Sequence, residues 1–74
     1  MASAYTLITD DNDYCHGGVT FMPKGNGTVQ VNYWTIYHGD RETGPTSTSQ
    51  GYTMPVAEAR GLWRELQAEG AQRE

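Results

Sequence analysis

One stretch constrains this chain more than any other. Ala59, Leu62, Trp63 and Leu66 recur at i, i+3, i+4 and i+7, with Val56 one turn earlier near the same stripe. That period describes an amphipathic helix laid on a core, and it fits no strand. Both ends are readable. Pro55 is tolerated only in a first turn, with Thr53 or the Met54 backbone as cap, and Gly70 stands where a left-handed residue closes a helix. The expected helix runs over 55–69, with Glu58 suiting the positive end of the macrodipole and Ala71 to Glu74 fraying. Trp63 and Leu66 are expected at the centre of the core, with Leu7 and alternate residues of a central strand.

The outer surface of that helix segregates its charges. At about 100° per residue, Glu58, Glu65 and Glu69 line one flank of the apolar stripe, and Arg60, Arg64 and Gln67 line the other. Like charges thus stand four apart, each pair costing a few tenths of a kcal/mol. Their partners are expected on the sheet or on another molecule. Gly61 sits on the back of the helix, where it costs roughly 0.5–1 kcal/mol relative to Ala. It is either a tolerated surface residue or a smooth patch that lets another backbone approach.

The remaining chain reads as strands and turns. Ala4 to Thr9 alternates β-favouring residues and makes a first strand, followed by a loop dense in Asx and Gly over Asp10 to Gly18. Val19 to Met22 resumes a strand, and Pro23 to Gly27 supplies the Asn-Gly chemistry of a hairpin turn. Thr28 to Tyr37 is the longest strand. It places Val29, Val31, Tyr33, Thr35 and Tyr37 on one face and Gln30, Asn32, Trp34 and Ile36 on the other. A polar hairpin-like loop over His38 to Pro45 leads to Thr46–Gln50, a fourth strand only if backbone pairing holds it as an edge. The fold class is therefore α+β: a small antiparallel meander of three or four strands with one C-terminal helix packed on one face.

Composition bounds function more than fold. The 74 residues make one small domain whose core is correspondingly small, and the mean hydropathy of −0.69 marks a polar chain. With five Lys and Arg against nine Asp and Glu, the net charge of −4 disfavours nonspecific attraction to nucleic acid or anionic membrane. Cys15 is the single cysteine, so no intramolecular disulfide or CxxC site exists. The opening MASAYTLITDD lacks the basic start and apolar run of a secretory signal. A cytoplasmic protein is expected.

No catalytic constellation can be assembled. Cys15-His16 has a nucleophile beside a base, but catalysis needs spatial adjacency and an orienting third group. The Asp10-Asp11-Asn12-Asp13 cluster fails the calcium-loop pattern, since the sixth position is Cys15 and the twelfth is Phe21. His38 would join Cys15 and His16 as a metal site only through long-range geometry. Gly25-Asn26-Gly27 lacks the lysine and helix of a phosphate loop. No enzyme activity, cofactor or metal is expected.

The helix reading Glu58-Ala59-Arg60, Leu62-Trp63 and Leu66 up to Gly70, after a short β region with Gly44-Pro45, resembles a family of short uncharacterised proteins from cyanobacteria and their phages. Those proteins end in a similar E-A-R-x-L-W-x-x-L segment, with an aromatic after the glycine where this chain has Ala71. The likeness covers the last quarter of the chain. It implies a strand-then-helix plan and a cytoplasmic location, and it transfers no site residue.

Two functional readings follow. The first is a non-enzymatic interaction module, a regulator or inhibitor, that meets a protein partner or a second copy through Tyr33, Trp34 and Tyr37 or through Gly61, with Arg60 and Arg64 at the rim. The second is single-strand nucleic-acid binding, with Tyr33, Trp34 and Tyr37 stacking bases on an open sheet face. The shortage of basic residues places the protein partner first, although Lys24, Arg41, Arg60 and Arg64 would have to cluster for the second. Whether Trp34 belongs to the core is left open by the pattern.

Overall fold

The structure, a computed structural model, describes residues 4–39, 44 and 46–73. Four strands form an antiparallel meander: β1 (Tyr5–Asp11), β2 (Cys15–Pro23), β3 (Thr28–Tyr37) and β4 (Thr46–Pro55). Helix α1 (Val56–Ala68) follows, and β5 (Gln72–Arg73) pairs with Leu7 and Ile8 at the edge of β1. The strand order is β4-β3-β2-β1-β5. The α+β class holds, with five strands where three or four were expected.

Three boundaries depart from the sequence reading, each for a backbone reason. The first strand runs on through Asp11 and the second begins at Cys15, so most of the expected Asp10–Gly18 loop is sheet. Only residues 12–14 turn, because the Asn12 side chain accepts from the amides of Tyr14 (2.8 Å) and Cys15 (3.1 Å) and closes the connection locally. The fourth strand extends to Pro55, well past Gln50, and Thr53 pairs with Gln30 instead of capping the helix. Pro55 is the N-cap and has no side-chain bond; the Val56 amide donates to the Gly27 carbonyl at 3.0 Å, so the strand feeds the helix directly. Finally, the tail over 72–73 is a strand where fraying was expected, tied down by pairing and by Arg73 over the Tyr5 ring at 5.5 Å. Of the expected loop over 38–45, residues 40–43 and 45, Arg41 among them, lie outside the described residues, as does Glu74.

The helix end follows the sequence closely. Gly70 has φ of +108°, the Ala71 amide donates to the Leu66 carbonyl at 2.9 Å, and the Gly70 amide donates to Gln67 at 3.1 Å. This is a Schellman closure, and Ala71 completes it by packing back on the core.

Leu7, Val19, Phe21, Val29, Val31 and Ala59 are buried, with Leu7, Val19 and Val31 at the centre. Trp63 and Leu66, expected at that centre, are only half-buried and pack around it, as do Val56 and Leu62. One helix on an open sheet has no second layer to cover its shoulders. Trp63 still joins the sheet through edge-on contacts to Phe21 (5.2 Å) and Tyr5 (6.2 Å).

Candidate functional site

Side chains alternate across each strand, so the sheet has two distinct faces. The helix-free face carries Trp34, half-buried and flat over Gly18. A Cβ at Gly18 would stand 2.6 Å from the Leu7 carbonyl oxygen and 2.9 Å from the Trp34 ring, so glycine is what lets the indole lie there. The indole N–H donates to the Thr20 hydroxyl at 3.0 Å, and Thr20 is hydrogen-bonded to Thr6 at 3.1 Å. His16 stacks obliquely on the same ring at 5.5 Å and meets Asp11 at 3.4 Å. Trp34 is thus part of a small polar-edged cluster of its own. Cys15, by contrast, lies opposite Tyr37 on the helix side, so Cys15 and His16 point to opposite faces. Among the described residues no three His, Cys, Asp or Glu side chains converge on a point fit for a metal.

The helix-side face is covered over only part of its length. Three adjoining concavities share Tyr33 and run beside β4: one reaches Tyr52 and Met54, one reaches Gly61 and Leu62 on the helix, and one reaches Thr35, Thr48 and Gln50 beyond the helix end. Together they form a groove. Its floor is aromatic, with Tyr33 and Tyr52 edge-to-face at 5.7 Å and Tyr52 49% exposed. Its helix wall is the Glu58–Gly61–Glu65 flank, and among the described residues these two glutamates are the only charged ones lining it. Nothing lies within 4 Å of where a Gly61 Cβ would be, so the wall is open at that point. Burial, then Tyr52 and then Glu65 hold the Tyr33 phenol above its ordinary range.

Of the residues expected at a site, Tyr33 and Gly61 are brought together in this groove. Tyr37 shares the same face at the far end of β3, 45% exposed. Trp34 is on the other face. Arg60 lines a different concavity, on the opposite helix flank with Tyr5, Phe21 and Trp63, and Arg64 is exposed on the helix and lines no part of the groove. Sequence reasoning missed Tyr52, Met54 and Glu58 as groove residues. Tyr52 and Met54 sit in the stretch read as a lead-in to the helix; their alternation with Gly51 and Thr53 was the available signal.

Among the described residues no helix is long and apolar enough to cross a membrane. Comparison with known protein families, with curated proteins and with solved structures gives no match.

Proposed function

We propose that this protein is a small non-enzymatic interaction module, a regulator or inhibitor, that docks a protein partner in the groove between the Glu58–Gly61–Glu65 flank of α1 and the β4 edge. One observation carries this reading: Tyr33 and Tyr52 leave aromatic surface exposed in a concavity whose helix wall is opened by glycine. Tyrosine anchors interfaces because it offers a large apolar ring and a polar tip at low entropic cost. Tyr37 and the uncovered end of the sheet extend the surface. A cytoplasmic setting suits the single half-buried Cys15. Nucleic-acid binding is the weaker reading, because Tyr33 and Trp34 occupy opposite faces and the groove's charges repel phosphate.

The test is capture from a lysate of the source organism on the immobilised protein. Tyr52→Ala, at an exposed position, removes the captured partner, whereas the double variant Cys15→Ser/His16→Asn retains it. Capture indifferent to Tyr52, or tight binding of mixed single-stranded oligonucleotide at physiological salt with no protein retained, overturns the proposal.

A further inference from the structure

Resting on that reading, we infer that the free edge of β4 takes an extended, cationic segment of the protein partner as an added strand, with its Lys or Arg side chains over the groove beside Glu58 and Glu65. The ladder fixes which backbone groups are available. The Val56 amide bonds Gly27, so along the same register Met54, Tyr52, Gln50, Thr48 and Thr46 bond β3, and the alternate residues turn their backbone groups outward. Those are Ser47, Ser49, Gly51 and Thr53, with the Pro55 carbonyl at the end. Among the described residues, these four outward amides have no backbone partner along the edge. Their neighbours Gln50, Tyr52 and Met54 point into the groove.

The two edges of the sheet are managed differently. On the β1 side the register is broken by a bulge between Ile8 and Asp10, Asp10 and Asp11 add charge, and β5 covers Leu7 and Ile8. These are the devices that keep a sheet edge from pairing. On the β4 side the register runs unbroken for ten pairs, and residues 46–55 include no charged side chain. That edge is open to strand addition, a mode in which backbone bonds give affinity and alternate side chains give specificity.

Charge selects the occupant. Glu58 and Glu65 are two helical turns, about 10.5 Å, apart, and alternate residues on a strand are about 7 Å apart, within reach of paired basic side chains. Tyr33 and Tyr52 add aromatic faces that suit a cation. A second copy of this chain brings no Lys or Arg in its own β4 and adds two more glutamates, so self-pairing lacks the counter-charge.

A display library of random decapeptides panned on the full chain tests this, followed by synthesis of a selected peptide. The selected sequences should carry Lys or Arg at alternate positions, and the bound peptide should slow amide exchange at Ser47, Ser49, Gly51 and Thr53. N-methylation of the peptide at residues between the basic ones should abolish binding, and N-methylation at the basic ones should leave it intact, because only the former face β4. Glu58→Gln/Glu65→Gln, both exposed, should weaken binding about tenfold and flatten its salt dependence. Selected peptides without that alternation, unchanged exchange at the four amides, or slowed exchange in the protein alone that grows with concentration would each overturn the inference. If partner capture still depends on Tyr52 in that event, the interaction reading survives without strand addition.

Discussion

The two ends of the sheet are built from the same strands and meet different fates. Along one face of β3, Val31 is fully buried, Tyr33 is half-buried, and Tyr37 is 45% exposed. The difference is geometric. A helix of 13 residues is about 20 Å long, whereas the molecule extends 45 Å along its longest axis. Near β1's start and the α1 N-terminus the helix finds Leu7, Val19, Phe21 and Val29 to bury. Beyond Tyr33 the same face carries Thr35, Tyr37, Thr46 and Thr48, and among the described residues no helix packs on it. Stability is concentrated at the covered end, and the exposed aromatic surface lies at the margin and beyond.

The sharpest way to break this comparison is to empty one site at each end. Leu7→Ala leaves a cavity under the helix and should cost about 3–5 kcal/mol, comparable with the whole stability of a domain this size. Tyr37→Ala should cost less than about 0.5 kcal/mol, as for a surface substitution. Urea denaturation followed by tryptophan fluorescence would show it. Similar losses for both variants would mean that the far end is held by packing after all.

A smaller effect of opposite sign is expected at Gly61. The position is exposed, mid-helix, and a Cβ there meets nothing. Gly61→Ala should therefore stabilise the fold by roughly 0.5–1 kcal/mol, read as a Tm rise of a few degrees. If the open wall serves docking, the bulky Gly61→Trp folds normally and loses partner capture. A variant that gains stability and keeps full capture as Trp would remove Gly61 from the site.

Much of the covered end was legible in the sequence, because period and turn chemistry act locally. The helix stripe, the hairpin after Pro23 and the closure at Gly70 each depend on a few neighbouring residues. What was not legible depends on pairing across the sheet. Ser47, Ser49 and Gly51 have no apolar pattern, and β4 exists over its full length because β3 offers it a complete ladder. Gly17 and Gly18 read as loop residues until Trp34 is seen lying across β2. Trp63 looked central because size and period say nothing about how wide the sheet is or how little of it one helix covers. The groove inherits both limits, since its floor is β4 and its wall is the flank of α1 that carries glutamates, with Arg60 and Arg64 on the other side.

The smallest expected effect tests whether Tyr33 really sits at the boundary between the two ends. Burial is the main reason its phenol holds its proton longer, with Tyr52 and Glu65 disfavouring the phenolate further. In the unfolded chain the same phenol ionises near its ordinary value of about 10. The folded form therefore binds the proton more tightly, so this contribution to stability is intact below about pH 10 and is lost as pH rises through the raised native value. Absorbance at alkaline pH should show a late-ionising phase from Tyr33, and Tyr33→Phe should remove that phase. Glu65→Gln should bring it earlier without restoring the ordinary value, because burial remains. A late phase that survives Tyr33→Phe would assign the buried phenol elsewhere and detach Tyr33 from the covered end of the sheet.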